Sequence, residues 1–241
     1  MRILTYNIAG NRGRRRADHL ERIAEVIREA NPDVVGLQEV VHRHGGAPDP
    51  ETILERLTGM DAVFVPAHQF RRHCLGNAVL FREPIRETIT HELPHSWPER
   101  RVLLEVRGSV RELPVTIFCT HLVHMARAAA RLRLAQAGAV AEQLRRCAQP
   151  HVLLGDLNAA PHSRELRPLR SATNGDAHMA GLRTWPAARP LVLYDHIWPG
   201  SGWSVESIEV LDDAVSDHRP LLAHLRWGGA PQIPAAPEVG G

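Results

Sequence analysis

Residues 32–40 read Pro-Asp-Val-Val-Gly-Leu-Gln-Glu-Val, and this stretch decides how the opening of the chain folds. Val34, Val35 and Leu37 make a short apolar run typical of a buried strand. The run closes on a carboxylate, Glu39. Just upstream, Leu20, Ile23, Ala24 and Ile27 recur at helical spacing. Asp18 reads as the N-cap of that helix, with Glu21 three residues on completing a capping box. Asn31-Pro32 stops it. Further back, residues 3–8 alternate apolar and polar side chains and read as a strand, followed by a turn at residues 10–13. The opening is therefore strand, helix, strand. Asn7 comes near the end of the first strand and Glu39 at the end of the second.

Downstream, residues 42–50 read as a loop, and Ile53, Leu54 and Leu57 as a short helix. Residues 63–65, 78–81, 102–106 and 115–120 read as strands, and 126–146 as a long helix. A brief strand, 152–154, runs into Gly155-Asp156-Leu157-Asn158. Residues 159–190 show little periodicity and predict loops and a short helix. Strands follow at 191–197, 207–210 and 221–225, the last opened by Asp217-His218. The pattern predicts one domain over 1–227 and a flexible Pro/Gly/Ala-rich tail over 228–241. No internal sequence repeat is evident. Strands dominate, with helices between them. That is the signature of two sheets packed face to face with helices outside, a four-layer α/β sandwich.

With 241 residues, 44% of them hydrophobic, the chain can bury a real core without staples. Its 29 basic residues against 27 acidic ones leave a net charge of +2. All 29 are arginine, because the sequence contains no lysine. Chemistries that need a catalytic lysine are excluded: P-loop NTPases, protein kinases, Schiff-base enzymes and Ser-Lys hydrolases. Three cysteines without CxxC spacing argue against a disulfide framework or a thiolate zinc site. The N-terminal residues lack the apolar core of a signal peptide. No stretch reaches the length of a membrane span. The expected compartment is the cytoplasm.

Polar residues collect where strands end. Asn7, Glu39, His121, Asp156, Asn158, Asp195, Asp217 and His218 all lie at, or just past, an apolar strand. Singly, each has an ordinary reading as surface decoration, a solvated histidine or an Asx turn. Together they describe a rim of acid–base and metal-ligating groups. The local strings go further: TYNI (5–8), PDVVGLQEV (32–40), GNAVLFR (76–82), THL (120–122), RLAQ (133–136), GDLNAAP (155–161), YDHI (194–197) and SDHRPL (216–221). In order and spacing they resemble the endonuclease/exonuclease/phosphatase superfamily, whose fold is that of deoxyribonuclease I.

The resemblance implies a phosphoesterase. A phosphate ester resists hydrolysis because its anion repels incoming water, and the remedy is a divalent cation with a base on the water. By resemblance, Glu39 is the first ligand of Mg²⁺ or Mn²⁺, with Asn7 and Asp217 completing the shell directly or through water. Asp156 orients or deprotonates the water, helped by Asn158. His121 and His218 flank the scissile phosphate, and Asp195 pairs with His218. Where the deoxyribonuclease branch pairs its first histidine with a glutamate, the nearest equivalent here is Asn77, which carries no charge and which we take as a substrate contact. Arg12 and Arg14 are candidate phosphate contacts, and the neighbouring Arg15, Arg16, Arg100 and Arg101 could add to them. His124 suggests a further ligand.

Departures narrow the branch. The abasic-site endonuclease branch resembles LQET followed by lysine, whereas this chain has LQEVVHR. Secreted deoxyribonucleases carry a signal peptide and a disulfide. The compact bacterial members fit best. The expected substrate is a phosphodiester, nuclease-like, with a nucleic acid or nucleotide favoured and no obligate protein partner. The alternative of the same fold is a phospholipid, sphingomyelin-type, sugar or inositol phosphate hydrolase. The alternative of another class is a non-catalytic binding module, against which the retention of Glu39, Asp156, Asn158 and His218 argues.

Overall fold

The computed structural model describes residues 1–10, 16–43, 45, 48–96, 99–124, 129–174 and 179–229. The candidate contacts Arg12 and Arg14, with Arg15 and Trp97, lie outside the described residues, as does the tail from residue 230. In chain order the elements are β1 (Arg2–Asn7), α1 (Arg16–Ala30), β2 (Val34–Arg43), α2 (Pro50–Thr58), β3 (Asp61–Gln69), β4 (His73–Phe81), β5 (Glu87–Glu92), β6 (Val102–Val110), β7 (Leu113–His121), α3 (Ala130–Arg146), β8 (His151–Asp156), α4 (Arg167–Arg170), β9 (Asp195–Pro199), β10 (Trp203–Val210) and β11 (Leu221–Trp227).

The strands form two mixed sheets, ordered β10-β11-β1-β2-β4-β3 and β5-β6-β7-β8-β9. Alternation along each strand divides the core into three layers. Ile3, Val34, Val79 and Phe81 face Leu104, Ile117, Val152 and Leu154 between the sheets. Leu4, Val35 and Leu80 face outward onto Leu20, Ile23 and Ile27 of α1. Leu103, Phe118 and Leu153 face outward onto Ala137, Val140 and Leu144 of α3. This is the four-layer α/β sandwich expected.

Each sheet contains one parallel pair joined through a helix: β1 with β2 through α1, and β7 with β8 through α3. A parallel pair sends both C-terminal ends to the same edge, the usual place for ligand sites in such sheets. Asn7, His121 and Asp156 end their strands there, and Glu39 follows the last parallel pair, Asn7 with Gln38. This structural repetition leaves no trace as a sequence repeat.

Several expectations are corrected. Asp18 sits in the first turn of α1 and is not its N-cap. The stop at Asn31 is real: its backbone is left-handed (φ 46°) and its N–H donates to Ile27 O at 2.9 Å. β2 does not end at Glu39 but runs on to Arg43, so part of the expected 42–50 loop is strand. β5 was not anticipated; its Glu/Thr/His-rich sequence and exposed edge position give little apolar signal. β9 begins at Asp195, because Leu191 and Val192 pair with the Thr184–Trp185 loop instead of the sheet. Asp217-His218 does not open the last strand; it precedes β11 by a loop.

Candidate active site

Glu39 owes its position to a β-bulge. On β2, Leu37 pairs with Ala78 and Val40 with Gly76, so Gln38 and Glu39 together stand opposite Asn77. Glu39 takes a left-handed backbone (φ 56°) and is half-buried. A non-glycine residue in that region stores strain, which concentrates at functional sites. Gly10 allows the chain leaving β1 to close on it: its N–H donates to Glu39 O at 3.0 Å, and a Cβ there would lie 2.4 Å from the same oxygen.

Asn7 joins the two sheets. Its amide donates to Glu39 Oε1 at 3.2 Å and to Asp156 Oδ2 at 3.0 Å, while its Oδ1 accepts from Ala9 N–H at 3.0 Å. It therefore holds two carboxylates side by side. Asp156 ends β8 and is buried. Its Oδ1 accepts from Asn158 N–H at 2.9 Å, the Asx turn that Gly155-Asp156-Leu157-Asn158 suggested. Gly155 is obligatory here, since a Cβ would meet Thr120 O of β7 at 2.0 Å.

His218 Nδ1 lies 2.8 Å from Asp195 Oδ2, and its Nε2 lies 3.8 Å from Asp156 Oδ2. Asp156 and Asp195 are directly opposite on β8 and β9. Two facing carboxylates repel unless a cation lies between them, and His218 is that cation. Burial works against its charge, but the charge and hydrogen bond of Asp195, then Asp156 and Asp217, push its pKa up to about 10. Burial raises the Asp156 carboxyl above the ordinary carboxylate range, opposed chiefly by His218 and assisted by Asp195.

His121 is the opposite case. Burial, then the charges of Arg101, His218 and His124, hold it well below the ordinary imidazole range. It is neutral, so one ring nitrogen accepts. The Asn158 amide donates to Leu122 O at 3.1 Å and lies 3.0 Å from His121 Nε2. This assigns the proton to Nδ1. The two histidines thus differ in charge at neutral pH, an arrangement suited to separate acid and base roles.

The site thus gathers Asn7, Glu39, His121, Asp156, Asn158, Asp195 and His218. Asp217 stands beside them: half-buried, it lies 3.5 Å from Ser216 Oγ, which in turn donates to Asn7 O at 2.7 Å. Asn77 is buried and donates to Val102 O at 3.4 Å, tying β4 to β6. His124 is exposed, and its carbonyl accepts from Arg133. Cys119 is core, its thiol pushed up to about 12 by burial. Trp198 and Trp203 are packed into the core, while Trp185 lies against Tyr194. One cation gains weight. The Arg101 side chain is nearly buried, bonds Glu99, and leaves its Nε without a partner. Its charge acts on His121. Its only mark in the sequence was its place just before a strand.

The endonuclease/exonuclease/phosphatase family model matches residues 4–218. The chain belongs to this family. Members of the superfamily are hydrolases acting on phosphate esters and are generally divalent-metal dependent. A solved endonuclease/exonuclease/phosphatase from Beutenbergia cavernae is similar at 24% identity, covering 97% of this chain and 73% of that one, with a TM-score of 0.79. The human Nocturnin catalytic domain with bound sulfate is similar at 22% identity, covering 94% of each chain, with a TM-score of 0.75. A mannosyl-6-phosphatase from Bacteroides thetaiotaomicron is similar at 17% identity, covering 94% of this chain and 100% of that one, with a TM-score of 0.77. A search of the curated proteins finds no match. At these identities the likenesses speak to the fold. Among the described residues, no helix is long and apolar enough to cross a membrane.

Proposed function

We propose that this family member is a Mg²⁺- or Mn²⁺-dependent phosphodiesterase with a nucleic acid or nucleotide as substrate. What carries the reading is one continuous network at one rim: Glu39 to Asn7 to Asp156, with His218 between Asp156 and Asp195. Glu39 and Asp217 offer carboxylate oxygens, hard donors of the kind that suit such a divalent cation. Glu39 would hold the ion, with Asn7 orienting the carboxylate and Asp217 completing the shell. The bound ion would supply charge neutralisation on the phosphoryl oxygens.

The chain's own groups would do the rest. Asp156, held by Asn7 and Asn158, orients the attacking water and takes its proton. His218, kept charged by Asp195, donates a hydrogen bond to the phosphoryl oxygens or the leaving group. His121 and Asn158 frame the phosphate on the other side. Arg101 offers a further anion contact.

The β3–β4 hairpin supports the choice of substrate. Beyond Asn77, β4 extends to a tip reading Gln69-Phe70-Arg71-Arg72-His73, in which Phe70 is 41% exposed and stacked on His73 at 4.5 Å. An exposed ring flanked by arginines suits a nucleobase and its phosphate.

The test is an Mg²⁺/Mn²⁺ assay across single- and double-stranded DNA, RNA, a nucleotide monoester, sphingomyelin and an inositol phosphate. Activity should require the metal, vanish with chelator and fall at least about a thousandfold in Asp156→Ala. Full activity in that variant would overturn the assignment. Preference for sphingomyelin or an inositol phosphate would instead keep the site and replace the substrate.

A further inference from the structure

Gln136 and Arg133 lie on the buried face of α3, a helix that contributes no group to the network above. Such side chains are costly to bury unless their polar atoms are used, and of theirs only Arg133 Nε lacks a partner. Gln136 is fully buried and uses both ends of its amide: Oε1 accepts from Val123 N–H at 2.9 Å, and Nε2 donates to Pro94 O at 2.8 Å. Arg133 donates through Nη1 to Val123 O and His124 O, both at 3.1 Å, and through Nη2 to Glu165 Oε1 at 3.2 Å. Three backbone groups of the segment leaving β7 are therefore gripped by two side chains one helical turn apart.

That segment begins at His121. Its Leu122 N–H donates to Asp156 O at 3.0 Å, and its Leu122 carbonyl accepts from the Asn158 amide. A planar amide has two N–H directions fixed at about 120° to one another. Once one is committed to Leu122 O, the other has a set direction, and His121 Nε2 lies on it. Moving the Leu122 carbonyl would free the amide to turn, and the ring would lose the donor that defines its tautomer.

We propose that Gln136 and Arg133 are positioning residues of the hydrolytic site: by clamping the backbone of residues 122–124 they set the Asn158 amide and, through it, which ring nitrogen of His121 carries the proton. The role in turnover rests on the phosphoesterase reading above, but the geometry can be read without it.

The experiment uses the full chain and two readouts. One is hydrolysis of bis(p-nitrophenyl) phosphate with Mn²⁺. The other is the long-range ¹H–¹⁵N spectrum of His121, which reports the tautomer without any turnover. The wild type should show a single Nδ1–H tautomer. Gln136→Met, close in shape but without the amide, should mix the tautomers and lower kcat about tenfold or more with KM within about twofold. Gln136→Glu keeps an acceptor for Val123 N–H and should restore the single tautomer and most of kcat. Arg133→Lys cannot span two carbonyls and Glu165; it should mix the tautomers and serves if Gln136→Met fails to fold. A folded Gln136→Met or Arg133→Lys with the wild-type His121 spectrum overturns the proposal, as does a fall in kcat that leaves that spectrum unchanged. Absence of turnover in the wild type would instead overturn the functional reading, with the spectrum still deciding the clamp.

Discussion

Asp195 and His218 carry the clearest chemistry of any two side chains. Asp195 is fully buried, and its Oδ2 lies 2.8 Å from His218 Nδ1. Asp195→Asn keeps the shape but removes the charge that favours the imidazolium. We expect kcat to fall about 10²- to 10⁴-fold while the fold persists, as read by turnover beside far-UV circular dichroism. A loss under threefold would remove the pair from the mechanism. Glu39 makes the complementary case, because its carboxylate and its strained backbone have opposite consequences. Glu39→Gly should abolish metal-dependent turnover and yet leave thermal stability equal or raised by up to about 1 kcal/mol, since glycine accepts φ 56° without penalty. A clear drop in Tm would show that the side chain is structural. The sequence named both residues, since a carboxylate at the end of an apolar run stands out. It did not show the bulge. Gln38 and Glu39 look like ordinary strand residues until β4 pairs around them.

Whole elements tell a similar story. α1 was legible from apolar spacing, α3 from a long stretch rich in alanine and leucine, and the strands β2 and β8 from short aliphatic runs. β5 and the extensions of β3 and β4 were not, because edge and hairpin strands carry polar side chains and depend on their neighbours for their state. The hairpin they build reaches past the site. If Phe70 and Arg72 engage a nucleobase and a phosphate, Phe70→Ala and Arg72→Glu should each raise KM for a short single-stranded oligonucleotide about tenfold, one base–ring stack being worth about 1–3 kcal/mol. They should leave KM for bis(p-nitrophenyl) phosphate unchanged, since that probe is too small to reach the tip. Equal effects on both probes would place the hairpin's influence in the site's structure instead of in substrate contact.

At the scale of the molecule, stability should depend on acid through histidines buried neutral. His196 is fully buried between Trp198 Nε1, 3.1 Å from its Nδ1, and Ala159 O, 2.9 Å from its Nε2, so it donates on one side and accepts on the other. Burial lowers its pKa to about 4. Its folded pKa lies below its unfolded one, so its contribution is complete above pH 6.5 and is lost as pH falls towards 4. At about 1.4 kcal/mol per unit this amounts to roughly 3 kcal/mol, with His151 and His121 acting in the same direction. The raised Asp156 carboxyl acts in the opposite direction over the same range, so urea denaturation at stepped pH should show the His196 contribution as the difference in slope between the wild type and His196→Gln, which keeps a donor and an acceptor but does not titrate. An unchanged slope would contradict the account.

The sequence by itself determined the residue types at the rim, the strand–helix–strand opening and the family, because these follow from local pattern: apolar runs, helical spacing and short polar strings. The tertiary structure decided how those groups relate. That His218 lies between two aspartates, that His121 is neutral while His218 is charged, and that Gln136 and Arg133 grip the segment beyond His121 all depend on burial and on partners far apart in the chain. Asn7 meets Asp156 across a separation of 149 residues, and Asp195 meets His218 across 23. A side chain's charge and direction follow from what surrounds it, and those surroundings exist only once the two sheets have packed.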